Sequence, residues 1–282
     1  MGRHWESVVR PLLIAVMARV LVEVGTAFGV TTTKMLEWAA AHDGVMHGID
    51  PSPRPKMDLD ALNEQYGDRF VFHRELSLGA LPRIRDPDFV LIDGDHNWYT
   101  VHGELHAIAQ VAREENRPFP LTLLHDVDWP YGRRDMYHDP STVPAEHRQE
   151  HASGGMVPGR SELAGEQGLN AFMQNAVAEG TPRNGVRTAV EDFLAETDLK
   201  LDWSSVPGFF GVGILADAQV LARTPALRGA LDVFRSPEFL EAQCRALELS
   251  RVNTLARLHE ARRELRALRR GASEPADGTP AR

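Results

Sequence analysis

The stretch RVLVEVGTAFGVTTTKMLEWAAA, from Arg19 to Ala41, decides the fold. Its first part is short, β-branched and stopped by Gly25, the pattern of a buried strand. "TTTKMLEWAAA" continues at helical spacing. Between them, Gly25 and Gly29 let the backbone approach a ligand closely, and the helix that follows offers free N–H groups at its start. The spacing is G-x-x-x-G and not the G-x-G-x-x-G of dinucleotide folds, which points away from a nicotinamide cofactor. Glu23 lies two residues before Gly25, near the end of an apolar strand. A carboxylate buried there needs partners, and a ligand can supply them.

The same strand-then-helix rhythm runs outward from this stretch. "GVMHGID", "RFVFHREL", "DFVLIDGD" and "PLTLLHDV" read as further strands, with "DALNEQYG" and "TVHGELHAIAQVAREE" as helices between them. "NGVRTAVEDFLAET" is a later helix, followed by the strands "LKLDWSSV" and "GFFGVGIL" with a turn at Pro207 and Gly208. Strands alternating with helices predict a doubly wound, mostly parallel α/β sheet, here of seven strands. Ligands of such sheets sit outside the carboxyl ends of the strands. Residues 129–183 break the rhythm and are rich in Pro, Gly, His and Arg, which predicts a lid insertion within a domain spanning residues 1–236. Its Trp129, Tyr131, Arg133, Arg134, Tyr137 and His138 can stack on a ring or hold an anionic group; the alternative is that they pack the insertion or a neighbouring subunit. Residues 237–270 predict one long helix with Leu258, Ala261, Leu265 and Leu268 on one face, suited to homodimerisation. The tail, 271–282, has a disordered composition.

Composition sets the bounds. The chain has 282 residues and a formal net charge of −9, which argues against nucleic acid as a partner because phosphate contacts need clustered Lys and Arg. A single cysteine, Cys244, allows no internal disulfide and no cysteine-based zinc site, so a reducing cytoplasm is the expected compartment. "PLLIAVMARVLVEVG" is apolar but contains Arg19 and Glu23, and it reads as a helix feeding a core strand; no membrane partner is expected.

Two further places carry chemistry. Asp50 closes the second strand, 25 residues after Gly25, where an acid can accept hydrogen bonds from two ribose hydroxyls; the bland alternative is a capping or loop aspartate. In "DFVLIDGDHNWYT", residues 88–100, four apolar residues run into Asp93, Asp95 and His96. The neighbouring strand ends in His125 and Asp126, so the two ends can converge.

With "VEVGTAFG", "GID" and "DFVLIDGDH" in place, the chain resembles the class I S-adenosylmethionine (SAM) methyltransferases, whose fold is Rossmann-like. It is most similar to the metal-dependent O-methyltransferases acting on catechols, caffeoyl-CoA and antibiotic sugars, and to the cephalosporin hydroxylase-like branch. The resemblance covers about Val20 to Asp126, with "GFFGVGIL" fitting the last strand pair. It implies that Glu23, Gly25, Gly29, Thr31, Asp50, Ser77, Asp93 and Asp95 bind SAM. It also implies that Asp93 and Asp126 hold a metal, with His125 the third ligand. Relatives carry Glu or Asn beside the second acid where this chain has His125 or Val127, a departure that leaves the third position open. Two carboxylates and an imidazole suit Mg²⁺ or Mn²⁺. His96 stands where catechol-type relatives place a catalytic lysine, and an imidazole of ordinary pKa, ~6.5, matches base chemistry near neutral pH.

These residues together point to a SAM-dependent O-methyltransferase, with His96 or Asp93 taking the proton of a small-molecule hydroxyl, on a sugar or natural-product intermediate. Two rivals stand beside it. One is an N-methylating or hydroxylase-like enzyme on the same fold. The other is a non-catalytic SAM-binding scaffold dimerising through the last helix, against which the acid cluster argues.

Overall fold

The computed structural model of the chain describes residues 1–271; the expected disordered tail lies outside the described residues apart from Gly271. Ten strands and nine α-helices follow in chain order among these residues. A first helical stretch ends in α1 (Arg10–Val16) and hands over to β1 (Val20–Val24), as its apolar pattern implies. Then come α2 (Val30–Ala41), β2 (Val45–Ile49), α3 (Leu59–Tyr66), β3 (Phe70–His73), the short α4 (Ser77–Ala80), β4 (Phe89–Ile92), α5 (Trp98–Glu114) and β5 (Leu121–His125). The insertion contributes β6 (Met136–Tyr137), β7 (His151–Ser153) and β8 (Gln174–Ala176). The chain continues through α6 (Val186–Glu196), β9 (Leu201–Val206), β10 (Val212–Asp217), α7 (Ala218–Arg223) and α8 (Pro225–Phe234) to α9 (Pro237–Gly271).

Seven strands form one sheet in the order β3-β2-β1-β4-β5-β10-β9. The first five pair in parallel; β10 runs antiparallel to both β5 and β9. Strand order reverses between β1 and β4, so the crevice for a ligand opens at their carboxyl ends. The alternation of side chains along each strand covers both faces. Val22, Val24, Val90, Ile92 and Leu124 face Leu105, Ile108 and Phe193 of α5 and α6 in one buried core. Their sequence neighbours Leu21, Phe89, Leu91 and Leu123 are fully buried on the opposite face.

The insertion is folded rather than structureless. Its three strands form a small antiparallel sheet in the order β6-β8-β7. Buried Asp135 ties it to the main domain by accepting from the Trp98 and Gly185 N–H groups at 2.7 and 2.6 Å.

The chain divides after Arg235, and the second unit contains α9. Along α9, Leu258, Leu265 and Leu268 are exposed. No helix among the described residues is long and apolar enough to cross a membrane.

Candidate active site

A cavity of about 830 Å³ opens at the carboxyl ends of β1, β2 and β4. Glu23, Gly25, Thr31, Asp50, Ser77, Asp93, Asp95 and His96 all line it. Gly25 has φ +85° and packs against the turn after β4: a Cβ there would sit 2.3 Å from the Asp93 carbonyl oxygen. Only glycine combines that backbone conformation with that approach. Gly29, at φ +74°, starts α2, whose Val30 and Thr31 border the cavity.

Asp50 holds the glycine loop in place. Its Oδ2 accepts from the Thr26 N–H at 3.1 Å, the Thr26 hydroxyl at 3.1 Å and the Ala27 N–H at 2.9 Å, and its Oδ1 accepts from the Ser52 N–H at 2.8 Å. Glu23 is buried and accepts from the Thr32 hydroxyl at 2.5 Å. Burial pushes its pKa up to about 8, so a cation entering the cavity would favour its ionised form. The Ser77 hydroxyl donates to buried Glu104 at 2.5 Å. Burial likewise raises Glu104 to about 8. Asp95 accepts from the Thr100 hydroxyl at 3.3 Å through Oδ2, while its buried Oδ1 has no hydrogen-bond partner among the described residues. An unsatisfied buried acceptor at a cavity wall suits an N–H or O–H of a ligand.

Asp93 and His96 also belong to a second cluster, one contact further from the cavity. The His96 Nε2 donates to Asp126 Oδ2 at 3.0 Å. The His125 Nδ1 lies 2.6 Å from the same oxygen and 3.2 Å from Asp93 Oδ1. The amino group of Met1 meets Asp93 Oδ2 at 2.8 Å. Asp126 itself has φ +61°, a left-handed conformation that Asp tolerates better than most residues. Burial alone would lower His96, but the carboxylates of Asp126 and Asp93 outweigh it and push the pKa up to about 9. His125 is raised to about 9 for the same reason, burial being opposed by Asp93 and Asp126. Burial alone would raise Asp126 and Asp93, but the imidazoles hold both below the usual carboxylate range. The carboxylates around His96 thus hold its imidazole above the ordinary value that the sequence alone assigns it.

These shifts fix a pH dependence of stability. His96 and His125 contribute fully below ~6.5, and their contribution is lost as pH rises toward about 9. Glu23 and Glu104, also raised, lose theirs as pH rises from ~4.5 toward about 8. The depressed Asp93 and Asp126 contribute above the ordinary carboxylate pKa of ~4 and fail only on acidification. Lowered histidines such as His4 and His47 gain stability as pH rises to ~6.5 and offset the glutamates there, so the melting temperature of the ligand-free protein is expected to fall steadily from pH ~7 toward pH ~9. Calorimetric scans across that range check it; a Tm that rises above pH ~7 would contradict these protonation states.

The insertion residues divide between the two roles that the sequence leaves open. Trp129 packs with Tyr131, Met136 and Met156 in a small core. Arg133 pairs with Glu191 at 2.6 Å on the surface. Arg134 is fully buried and donates to the carbonyls of Ala176 and Ser161. Tyr137 is buried and donates to Asp135 at 2.8 Å. Tyr131 reaches the cluster edge-on to His96, at 5.3 Å between ring centroids, and its hydroxyl accepts from Asn170. Of the six, His138 lines the cavity, where Asp139 and Thr142 of the insertion join it.

Sequence reasoning missed Glu104 and His4. Glu104 had a signal: Val101, Leu105 and Ile108 are spaced to share its helix face. His4 had none. It packs edge-on against His125 at 6.0 Å, buried, with its pKa lowered to about 4 by burial and by the neighbouring His125.

Residues 22–127 match a family described as a methyltransferase domain. The span runs from β1 to just past His125 and Asp126. Among solved structures, the chain is similar to the SAH-bound methyltransferase PaMTH1 of Podospora anserina, at 16% identity and a TM-score of 0.46, covering 74% of this chain and 76% of that one. It is also similar to a putative O-methyltransferase from Klebsiella pneumoniae (17% identity, TM-score 0.42, 73% and 76% covered). A third similar structure is the O-methyltransferase TomG of Streptomyces achromogenes, in complex with SAM (16% identity, TM-score 0.40, 74% and 78% covered). No curated protein matches the sequence.

Proposed function

We propose that this chain, whose residues 22–127 match a methyltransferase-domain family, transfers the methyl group of SAM to a hydroxyl of a small molecule, with a divalent cation assisting. One observation carries the reading. The cavity beside the glycine turn shares Asp93 and His96 with the buried cluster completed by His125 and Asp126. A cosubstrate site and a proton-handling site therefore meet at the same two residues.

On the cosubstrate side, the α-amino group and sulfonium of SAM are cationic, which suits buried Glu23. Asp50 keeps the turn in shape for a ribose, and Asp95 Oδ1 is open to a donor. On the acceptor side, the Nε2 proton of His96 is committed to Asp126, which leaves Nδ1 to take the proton of the acceptor hydroxyl. Asp126 orients the ring and stabilises its charged form. In-line transfer then needs mainly the positioning of two reactants.

Donor atoms of Asp93, His125 and Asp126 lie within 4.8 Å of one another, and two carboxylates with one imidazole fit Mg²⁺ or Mn²⁺. A divalent cation held there would favour the alkoxide or phenolate form of the acceptor and weaken the carboxylates' hold on the His96 proton. A metal-independent enzyme is a second reading, favoured by the fact that His125 already answers both carboxylates.

SAM binding tests the cosubstrate assignment. Asp50→Ala removes ribose acceptors and also frees the Thr26–Ala27 backbone, so it is expected to weaken SAM by about 1.5–3 kcal/mol in calorimetry. Unchanged affinity would remove Asp50 from the site, and no SAM binding by the wild type would defeat the reading.

A further inference from the structure

We propose that His102, His106 and Glu196 form a second metal site, for a transition-metal dication such as Zn²⁺, that clips α6 to α5. His102 and His106 are four residues apart on α5 and so share one face. Glu196 is the last residue of α6. Three donor atoms meet there. The Nε2 atoms of His102 and His106 lie 2.9 and 3.2 Å from Glu196 Oε2, and 3.3 Å from each other.

That triangle has the dimensions of a coordination face. Ligands about 2.0–2.1 Å from a tetrahedral zinc stand about 3.3 Å apart. Without an ion the arrangement is awkward, because two imidazoles that both donate to one carboxylate oxygen bring their own N–H groups together. A cation at the centre replaces both protons and satisfies all three lone pairs.

The rings are held from behind. His102 stacks on Trp98 with centroids 4.5 Å apart and planes 16° from parallel, and His106 meets Phe193 edge-on at 5.1 Å. Trp98 also donates its indole N–H to Asp192 of α6 at 2.8 Å, one turn before Glu196. The ligand-bearing faces of the two helices are thus fixed to each other independently of any ion, as a preorganised site requires. The outer side of the triangle is open, since the side chains of His106 and Glu196 are 41% and 53% exposed, which leaves room for water as a fourth ligand. Two imidazoles and one carboxylate select Zn²⁺, Ni²⁺ or Cu²⁺ over Mg²⁺, whose preference is for oxygen.

The test is Zn²⁺ titration of the full chain, wild type against His106→Ala and Glu196→Gln, by calorimetry and thermal scanning. Both positions are partly exposed, so both variants should fold; the Tm without Zn²⁺ confirms it. Zn²⁺ taken up by the Asp93–His125–Asp126 cluster is common to all three proteins and cancels in the comparison. The wild type is expected to bind one more Zn²⁺ than either variant. At about 100 times the dissociation constant of that site, Zn²⁺ should raise the wild-type Tm by about 5–10 °C more than it raises that of His106→Ala. Mg²⁺ should reproduce neither effect. Equal Zn²⁺ stoichiometry and equal Tm shifts in wild type and His106→Ala would overturn the proposal.

Discussion

Replacing His96 by Ala is expected to lower turnover by about 10²–10⁴-fold, the usual cost of losing a general base, while SAM affinity changes little. His96 lines the cavity, yet its one strong hydrogen bond goes outward to Asp126 at 3.0 Å. Its removal therefore deletes a proton acceptor without disturbing Asp50 or the glycine turn. The pH profile adds a signature. His96 is raised to about 9 in the ligand-free protein, so the base form grows as pH rises through that value. Wild-type turnover should climb with pH as His96 loses its proton, and the climb should be missing from His96→Ala. A variant with wild-type turnover and profile would shift the proton to Asp93 or remove base catalysis from the mechanism.

Gly25→Ala is expected to abolish measurable SAM binding and to lower the melting temperature. The added Cβ would lie 2.3 Å from the Asp93 carbonyl oxygen and 2.5 Å from the Gly94 Cα, both backbone atoms that no rotamer change can move. At φ +85° the alanine also carries a left-handed penalty of roughly 1–2 kcal/mol. Relief requires the β1 and β4 turns to separate, and both turns line the cavity. Differential scanning and calorimetric titration of the same sample read the two effects. A variant that melts and binds like the wild type would show that the turn does not touch the cosubstrate.

Gly25 is legible in the sequence and the place of Arg134 is not, and the contrast lies in how local each pattern is. The strand-turn-helix stretch at residues 19–41 is local, so its periodicity specifies both the fold and the place of the cavity. Parallel pairing then puts the ends of β4 and β5 side by side, which makes the meeting of Asp93 with His125 and Asp126 legible from strand order alone. The insertion follows other rules. Asp135 accepts from residues 37 and 50 positions away, and Arg134 donates to a carbonyl 42 positions away. Such contacts leave no period in the sequence, so residues that build the insertion look like residues that would bind a substrate. The charge state of His96 is not legible either, because it is set by burial and by two carboxylates, one of them distant in sequence.

The proposed partnership of cavity, cluster and cation comes down to one measurement: the rate of methyl transfer from isotopically labelled SAM to hydroxylated acceptors, before and after exhaustive chelation and again after Mg²⁺ is restored. The donor set of Asp93, His125 and Asp126 leads us to expect transfer to oxygen that is lost on chelation and recovered with Mg²⁺. Full activity in the chelated enzyme would contradict the metal's part and leave the His96–Asp126 pair to act alone.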